Sequence, residues 1–360
     1  MSDFEFIQNK NNGKWIISAP RRAKRTNVEK AEALCPFCPG QEIKEEELYR
    51  VPSTTGSTGT TSTTGNENNN PRDTLDTRGT RDTSWLVRVV ANKFPFAPNH
   101  EVIIHSPDHH KNWDELPFSQ VELILKTYRE RYNFNKKQAG LPAGRQVYIF
   151  HNRGHEAGES LPHPHTQLVT IPNNIKLDIT PLDPELRIKK QELSSNDNLS
   201  FPRMRESIQR SAQEILDPRS ESGMTETEIL ETEHFLIFCP LTSEWPDEVW
   251  IAPKQNGGGF GFIKDAEITD LGFVLSRLIQ IFDMRHGHEF PFNFYIPPLK
   301  NWYLRLIPRG KVLGGFELGT NIIVNTQDPA ETFSFIKEHF WEPDHAKIRS
   351  VHQEEYGKKV

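Results

Sequence analysis

HNRGHEAGESLPHPHTQLVTIP, residues 151–172, is the stretch whose reading decides this chain. It takes over from an apolar run, VYIFH (147–151), passes through a polar segment carrying Gly154, Gly158 and Ser160, and closes on HTQLVTIP. Side chains of an extended strand alternate between faces, so His163, His165 and Gln167, at i, i+2 and i+4, project to one side. The glycines and serine ahead of them leave room for backbone N–H groups to approach a phosphate. An imidazole, partly unprotonated near neutral pH, suits attack on phosphorus and gives a phosphoramidate labile enough to turn over. The stretch predicts two strands joined by a loop fit to hold a phosphate, with histidine chemistry on the second strand.

Working outward, WLVRVV (85–90) and EVIIH (101–105) read as strands. Residues 117–136 place Val121, Leu123, Ile124, Tyr128 and Tyr132 at helical spacing. Downstream, HFLIFCPLTSEWPDEVWIAP (234–253) echoes the strand–turn–strand of WLVRVVANKFPFAPNHEVIIHSP (85–107), with Glu248-Val249 set against Glu101-Val102. A helix over 264–284, strands in FNFYIPP and NWYLRLIPR, and a last helix opening at Asp328-Pro329 complete the echo. The fold class is therefore α+β, a duplicated unit with antiparallel strands and packed helices. The expected domains are 1–175 and 233–360, with 176–232 as a connector containing some helix. Residues 52–84, rich in Ser, Thr, Gly and Asn, lack the apolar side chains to offset ordering and are expected to be a mobile loop.

The net charge of -6 argues against a nucleic-acid partner. No run of about 18 apolar residues occurs to span a bilayer, and the polar N-terminus lacks a signal-peptide core, so a cytoplasmic location is expected. Three cysteines do not build a disulfide framework. Cys35 and Cys38 form one Cys-x-x-Cys within CPFCPG, a metal half-site or a redox pair; the flanking Pro and Gly have the shape of a zinc knuckle. Two further ligands are then needed, from among His105, His109, His110 and the His-Pro-His pair.

Several segments together resemble the galactose-1-phosphate uridylyltransferases of the histidine-triad superfamily, across nearly the whole chain. They are KWIISAPRRAKR (14–25), CPFC (35–38), VRVVANKFP (87–95), HEVIIHSPDHH (100–110), NRGHEAGESLPHPHTQ (152–167) and KVLGGFELG (311–319). The resemblance implies duplicated histidine-triad-like units, the first catalytic and zinc-binding, the second without the catalytic histidine. It implies that His165 is the nucleophile, that Gln167 hydrogen-bonds the transferred phosphoryl group, and that Cys35, Cys38, His109 and His163 hold a structural zinc. Ser160 would contact a substrate phosphate. Arg22, Arg25, Asn92 and Asn152 would line the nucleotide or phosphate pocket, and Lys311 would reach in from the second half, as in a homodimer with shared sites. Hydrolytic members carry a third His where Gln167 stands, so the neutral amide implies transfer.

The implied reaction moves UMP from a UDP-hexose to a hexose 1-phosphate through a nucleotidyl-histidine. An alternative is phosphorolysis of ADP-glucose or a dinucleoside polyphosphate, because Ala-Gly-x-Ser-Leu (157–161) is closer to relatives of that kind. A third reading is a zinc-stabilised nucleotide binder without activity. The second-half strand reads Asn301-Trp302-Tyr303-Leu304 with no His, so no second metal is expected. His286 and His288 read as a solvated helix terminus, and His155 and Glu156 carry no assigned role.

Overall fold

The computed structural model describes residues 3–24, 35–53, 85–138, 144–182, 227–255 and 257–343. Most of the expected loop over 52–84 and most of the connector lie outside the described residues. Short strands β1 (Glu5–Gln8) and β2 (Trp15–Ser18) pair as an antiparallel hairpin apart from the main sheet. The main sheet has ten strands: β3 (Glu47–Pro52), β4 (Trp85–Ala91), β5 (His100–Ile104), β6 (Arg145–Arg153), β7 (His165–Pro172), β8 (Leu230–Glu231), β9 (Phe235–Phe238), β10 (Val249–Pro253), β11 (Phe292–Ile296) and β12 (Leu304–Pro308). Their order is β3-β4-β5-β7-β6-β11-β12-β10-β9-β8, with neighbours antiparallel.

This order is a mirror about the β6–β11 seam, where Phe294 lies opposite His151. On one side run β4, β5, helix α1 (Phe118–Lys137), β6 and β7; on the other, β9, β10, helix α2 (Asp265–His286), β11 and β12. The two units form one continuous sheet. Both helices cover one face of it, where their apolar stripes and the inward residues of the strands make a shared core including Val121, Ile124, Leu125, Leu271, Leu275 and Phe282. Gly272 lets the helices approach: a Cβ there would stand 3.2 Å from a methyl of Val121. The chain ends its described part with helices α3 (Gly315–Thr320) and α4 (Pro329–His339). Asp328 caps α4, its carboxylate accepting the Ala330 N–H at 2.9 Å, with Pro329 in the first turn.

Three expectations need correction. Glu101 and Glu248 are not equivalent: Glu101 pairs with Arg131 of α1 on the helical face, whereas Glu248 meets Arg305 and Trp250 on the opposite face. An offset of one residue along a strand exchanges its faces, and the matching dipeptides hid that offset. Leu230 and Glu231, assigned to the connector, form edge strand β8 on β9. His286 is not a solvated terminus; its Nε2 lies 2.8 Å from the buried Asp247 carboxylate, while His288 is exposed. Among the described residues, no helix is long and apolar enough to cross a membrane.

Candidate active site

β7 begins at His165, and the face free of helices carries His165 and Gln167 together. Cross-strand register sets their surroundings: Ile104 and Val102 of β5 lie opposite them on one side, and Phe150 of β6 lies opposite Gln167 on the other. The Pro-flanked segment before β7 is tied to the end of β5 by the His105 N–H, which donates to the Pro164 carbonyl at 3.1 Å. His165 is buried to 5% exposure, and its Nδ1 lies 2.8 Å from the His163 carbonyl. A carbonyl only accepts, so Nδ1 carries the proton and Nε2 holds the lone pair. That tautomer is the one a nucleophile needs.

His163 is turned the opposite way. Its Nε2 donates to the Ser106 carbonyl at 2.9 Å, leaving the Nδ1 lone pair directed at the two thiols. Nδ1 stands 3.8 Å from Cys35 Sγ and 3.6 Å from Cys38 Sγ, and His109 Nδ1 stands 3.2 Å from Cys38 Sγ. All four donor atoms lie within 4.8 Å of one another. In a tetrahedral S₂N₂ zinc site the ligand-to-ligand edges are about 3.5 Å, from Zn–S and Zn–N bonds of about 2.3 and 2.0 Å. The donor set and its spacing fit such an ion. Burial drives the His163 pKa down to about 4, so its ring is neutral, the form a metal requires. Burial, aided by the neighbouring Cys35, pushes the Cys38 thiol up to about 11 without a cation beside it; a bound metal would reverse that. Of the other candidate ligands, His110 is exposed and His105 faces the helical side, outside the quartet.

Around Gln167 a polar chain extends across β5. His100 Nε2 lies 2.9 Å from Gln167 Oε1, and the Asn92 amide nitrogen lies 3.1 Å from the same ring nitrogen. Asn92 Oδ1 accepts the Phe94 N–H, and Arg22 donates to the Phe94 carbonyl while its guanidinium sits 4.8 Å from the Phe96 ring. The structure thus gathers Arg22, Asn92 and Gln167; Arg25 lies outside the described residues. Asn152 shares this face, two residues beyond Phe150, and accepts from Asn293 of β11 at 2.9 Å. Ser160 lies half-buried just ahead of the His-Pro-His segment. That loop turns at Gly154 and Gly158, whose positive φ values of 83° and 82° favour glycine. A Cβ on Gly154 would also stand 2.8 Å from Pro291. Glu159 closes the loop by accepting the Gly154 N–H at 2.8 Å, while His155 and Glu156 are exposed. Lys311 follows β12 and pairs with Glu317 at 3.3 Å and with the Val324 carbonyl. Among the described residues, no hydrogen bond or ion pair joins it to the His165 strand.

On the reverse face, Thr166 is a hub that the sequence reading missed. Its hydroxyl meets His105 Nε2 at 2.8 Å, His151 Nδ1 at 3.1 Å and the Tyr128 hydroxyl, all fully buried or nearly so. His151 is stacked between His105 and Phe294. Burial holds both imidazoles well below the usual histidine range, so both are neutral. His100 was missed as well; its place two residues before Val102 gives it the parity of Gln167, the one signal available in the sequence.

The mirrored α+β sheet thus carries, on one strand, a histidine with its Nδ1 held by a carbonyl and, at that strand's start, a Cys₂His₂ cluster. Residues 5–172 match the model for the galactose-1-phosphate uridyl transferase N-terminal domain. An ADP-glucose phosphorylase of Arabidopsis thaliana is 26% identical over 90% of this chain and 90% of its own length. The galactose-1-phosphate uridylyltransferase of Thermotoga maritima is 27% identical over 53% of this chain, and the chain spans about half (54%) of that relative. Among solved structures, an A. thaliana ADP-glucose phosphorylase with bound ADP-glucose shares the fold, with a TM-score of 0.58 at 22% identity over 93% of this chain and 99% of the other. A uridylyltransferase shares it with a TM-score of 0.58 at 21% identity over 97% and 99%.

Proposed function

We propose that this protein is a nucleotidyltransferase that passes a nucleoside monophosphate from a nucleotide sugar to an acceptor phosphate through a covalent intermediate on His165. The observation that carries the reading is the His165 Nδ1 contact with the His163 carbonyl at 2.8 Å. It fixes the tautomer and aims the ring, so that Nε2 attacks the α-phosphorus and the P–O bond to the sugar phosphate breaks. The sugar 1-phosphate leaves with the bonding pair. An acceptor phosphate oxygen then displaces His165 and takes the nucleotide, restoring the imidazole. Two in-line displacements retain configuration at phosphorus and give ping-pong kinetics.

In this scheme the Gln167 amide, Asn92, Asn152, Ser160 and Arg22 supply donors to phosphoryl oxygens, as transfer of a charged group with little other covalent chemistry requires. Arg25 joins them in the expected pocket. Cys35, Cys38, His109 and His163 would hold a zinc ion, which would supply a rigid cross-link at the start of the strand. Because His163 is both ligand and carbonyl acceptor for His165, the cluster orients the nucleophile from one residue pair away. The N-terminal unit (1–175) is the catalytic one and the C-terminal unit (233–360) its partner without a nucleophile.

We read the protein as a cytoplasmic homodimer. Val312, Phe316, Leu318, Ile322 and Val324 are exposed along one segment after β12, an apolar arm that carries Lys311. A second copy covering that arm removes it from water and brings Lys311 to the neighbouring site.

Two donor–acceptor pairs fit. Uridylyl transfer from a UDP-hexose to a hexose 1-phosphate follows the N-terminal family match. Phosphorolysis of ADP-glucose is favoured by the relative whose alignment spans 90% of both chains. Turnover of UDP-glucose and ADP-glucose, each with galactose 1-phosphate or inorganic phosphate as acceptor, separates them. Turnover by none of the four pairs would refute the transfer reading.

A further inference from the structure

We infer that the C-terminal unit, which has no nucleophile, completes the phosphate side of the other unit's site: Arg309 and Asn293 orient the Asn152 carboxamide so that its NH₂ group is presented to substrate. Asn293 is thus a positioning residue. The inference deepens the reading of His165 as a nucleophile with Asn152 in its phosphate pocket, and rests on it.

A carboxamide has a donor end and an acceptor end of nearly the same shape. Phosphoryl oxygens only accept, so only one rotation of Asn152 binds them. Two groups without ambiguity decide that rotation through Asn293: a guanidinium only donates and a peptide carbonyl only accepts. Arg309 Nη1 donates to Asn293 Oδ1 at 2.9 Å. The Asn293 amide nitrogen donates to the Ala157 carbonyl at 2.9 Å, with the His151 carbonyl at 3.5 Å. Turning that amide over would set donor against donor at Arg309 and oxygen against oxygen at Ala157. The Asn293 NH₂ group is therefore also the donor to Asn152 Oδ1, at 2.9 Å. This contact occupies the Asn152 carbonyl and turns its NH₂ group the other way, toward Gly158, where a Cβ would stand 3.9 Å from it. The end left to meet a phosphoryl oxygen is the donor end.

This relay is built into the seam between the units. Asn152 of β6 and Asn293 of β11 are direct cross-strand partners, so their side chains leave the sheet side by side on the open face. Arg309 follows β12 and is itself held: its N–H donates to the Pro291 carbonyl at 2.7 Å, and its guanidinium lies 4.3 Å from the Trp245 ring. The same unit reaches the loop a second time. Arg153 donates to the Pro162 carbonyl at 3.2 Å, just ahead of the His-Pro-His segment, and to Glu289 at 2.6 Å. Asn293 thus pins the loop at Ala157, and Glu289 pins it through Arg153.

The test is a double-mutant cycle on the full-length, zinc-loaded protein. It is read as the single-turnover rate of nucleotide transfer to His165 from UDP-glucose and from ADP-glucose in turn. Asn293→Leu, which removes the donor, is expected to slow that step by about ten- to a hundredfold. Asn293→Asp keeps the size and the Arg309 contact but only accepts, so Asn152 turns its NH₂ group to it and its carbonyl to the phosphate; a comparable loss is expected. The half-saturating donor concentration should move by less than about threefold, because the hydrogen bond strengthens as charge gathers on the phosphoryl oxygens. In an Asn152→Ala background either change is expected to cost less than about a further threefold, the part that comes through Ala157. Full additivity in the cycle, an Asn293→Asp or Asn152→Ala protein as fast as wild type, or a loss confined to affinity overturns the inference while leaving the covalent mechanism standing. A wild type that forms no nucleotidyl-enzyme with either donor overturns the underlying reading instead. Zinc content and thermal unfolding of each variant separate a local effect from loss of fold; if Asn293→Leu does not fold, Asn293→Asp carries the cycle.

Discussion

Replacing Thr166 by Val changes one hydroxyl to a methyl at a fully buried position, with no change of shape, and removes the hub behind the catalytic strand. In the wild type, Thr166 Oγ1 serves His105, His151 and Tyr128 together. After the change, His105 Nε2 and the Tyr128 hydroxyl still have each other at 3.1 Å, but His151 Nδ1 loses the Thr166 hydroxyl and keeps only the His165 backbone. Its Nε2 has no hydrogen-bond partner, so the buried imidazole is left with that one contact. Losing one buried hydrogen bond of the ring costs about 1 kcal/mol, and the weakened His105–Tyr128–Thr166 set adds a similar amount, for a total of about 2 kcal/mol. Thr166→Ser keeps the oxygen and removes only a methyl, about 1 kcal/mol. Urea unfolding of the zinc-loaded protein measures the difference, with tryptophan emission as the probe, since Trp113 stands 4.8 Å from the His105 ring. The order wild type, Ser, Val is expected. A Val variant as stable as wild type, or a Ser variant as damaged as Val, would refute the hub.

Other expectations are equally direct. His105 and His151 are held neutral by burial, with folded pKa values well below the usual range. The unfolded chain takes up protons at these residues below about pH 6.5 while the folded one does not. Stability should therefore fall steadily as pH drops from about 6.5, and a urea midpoint unchanged between pH 7.5 and 5 would contradict this. Metal analysis of protein purified without chelators should give close to one zinc per chain, lost in a Cys38→Ser variant; metal-free wild type with full activity would count against the quartet. Tyr303 donates to the Thr180 carbonyl at 2.6 Å and stacks on Trp250, a packing role. Tyr303→Phe should thus cost about 1 kcal/mol of stability and little transfer activity, and a loss matching His165→Ala would mean the active unit has been misassigned. Glutamate at Leu318 should shift sedimentation from dimer to monomer and slow transfer with the His165 strand intact; a wild type that is already monomeric would remove the basis for a shared site.

The sequence was most legible where local chemistry and periodicity agreed. HTQLVTIP is β7 residue for residue, and the helix expected over 117–136 is observed at Phe118–Lys137. Asp328-Pro329 begins α4 because a carboxylate cap and a fixed proline φ act within one turn. The metal quartet was only half legible: Cys35 and Cys38 stand together in the chain, but which histidines complete them depends on how the end of β5 meets the Pro-flanked segment. That is a tertiary fact, supplied beforehand by family resemblance and not by spacing. The partners of His100, His105, His151 and Thr166 were not legible, since each of these residues acquires them across strands or from α1. The mismatch of Glu101 with Glu248 has the same cause, because face assignment depends on a register that a matching dipeptide does not report. Arg25 and the segment around 54–84 stand outside what the structure describes.

The central claim is the covalent intermediate, and the direct measurement is mass analysis of the protein mixed with a nucleotide sugar and no acceptor. The expected result is a gain of one nucleoside monophosphate per active site, mapped to His165, acid-labile and base-stable as a phosphoramidate is. It should form in step with release of an equal amount of sugar 1-phosphate and disappear on addition of acceptor. His165→Gly should form no adduct. An adduct that persists in His165→Ala, or transfer by the wild type with inversion at phosphorus and no labelled protein, would contradict the account.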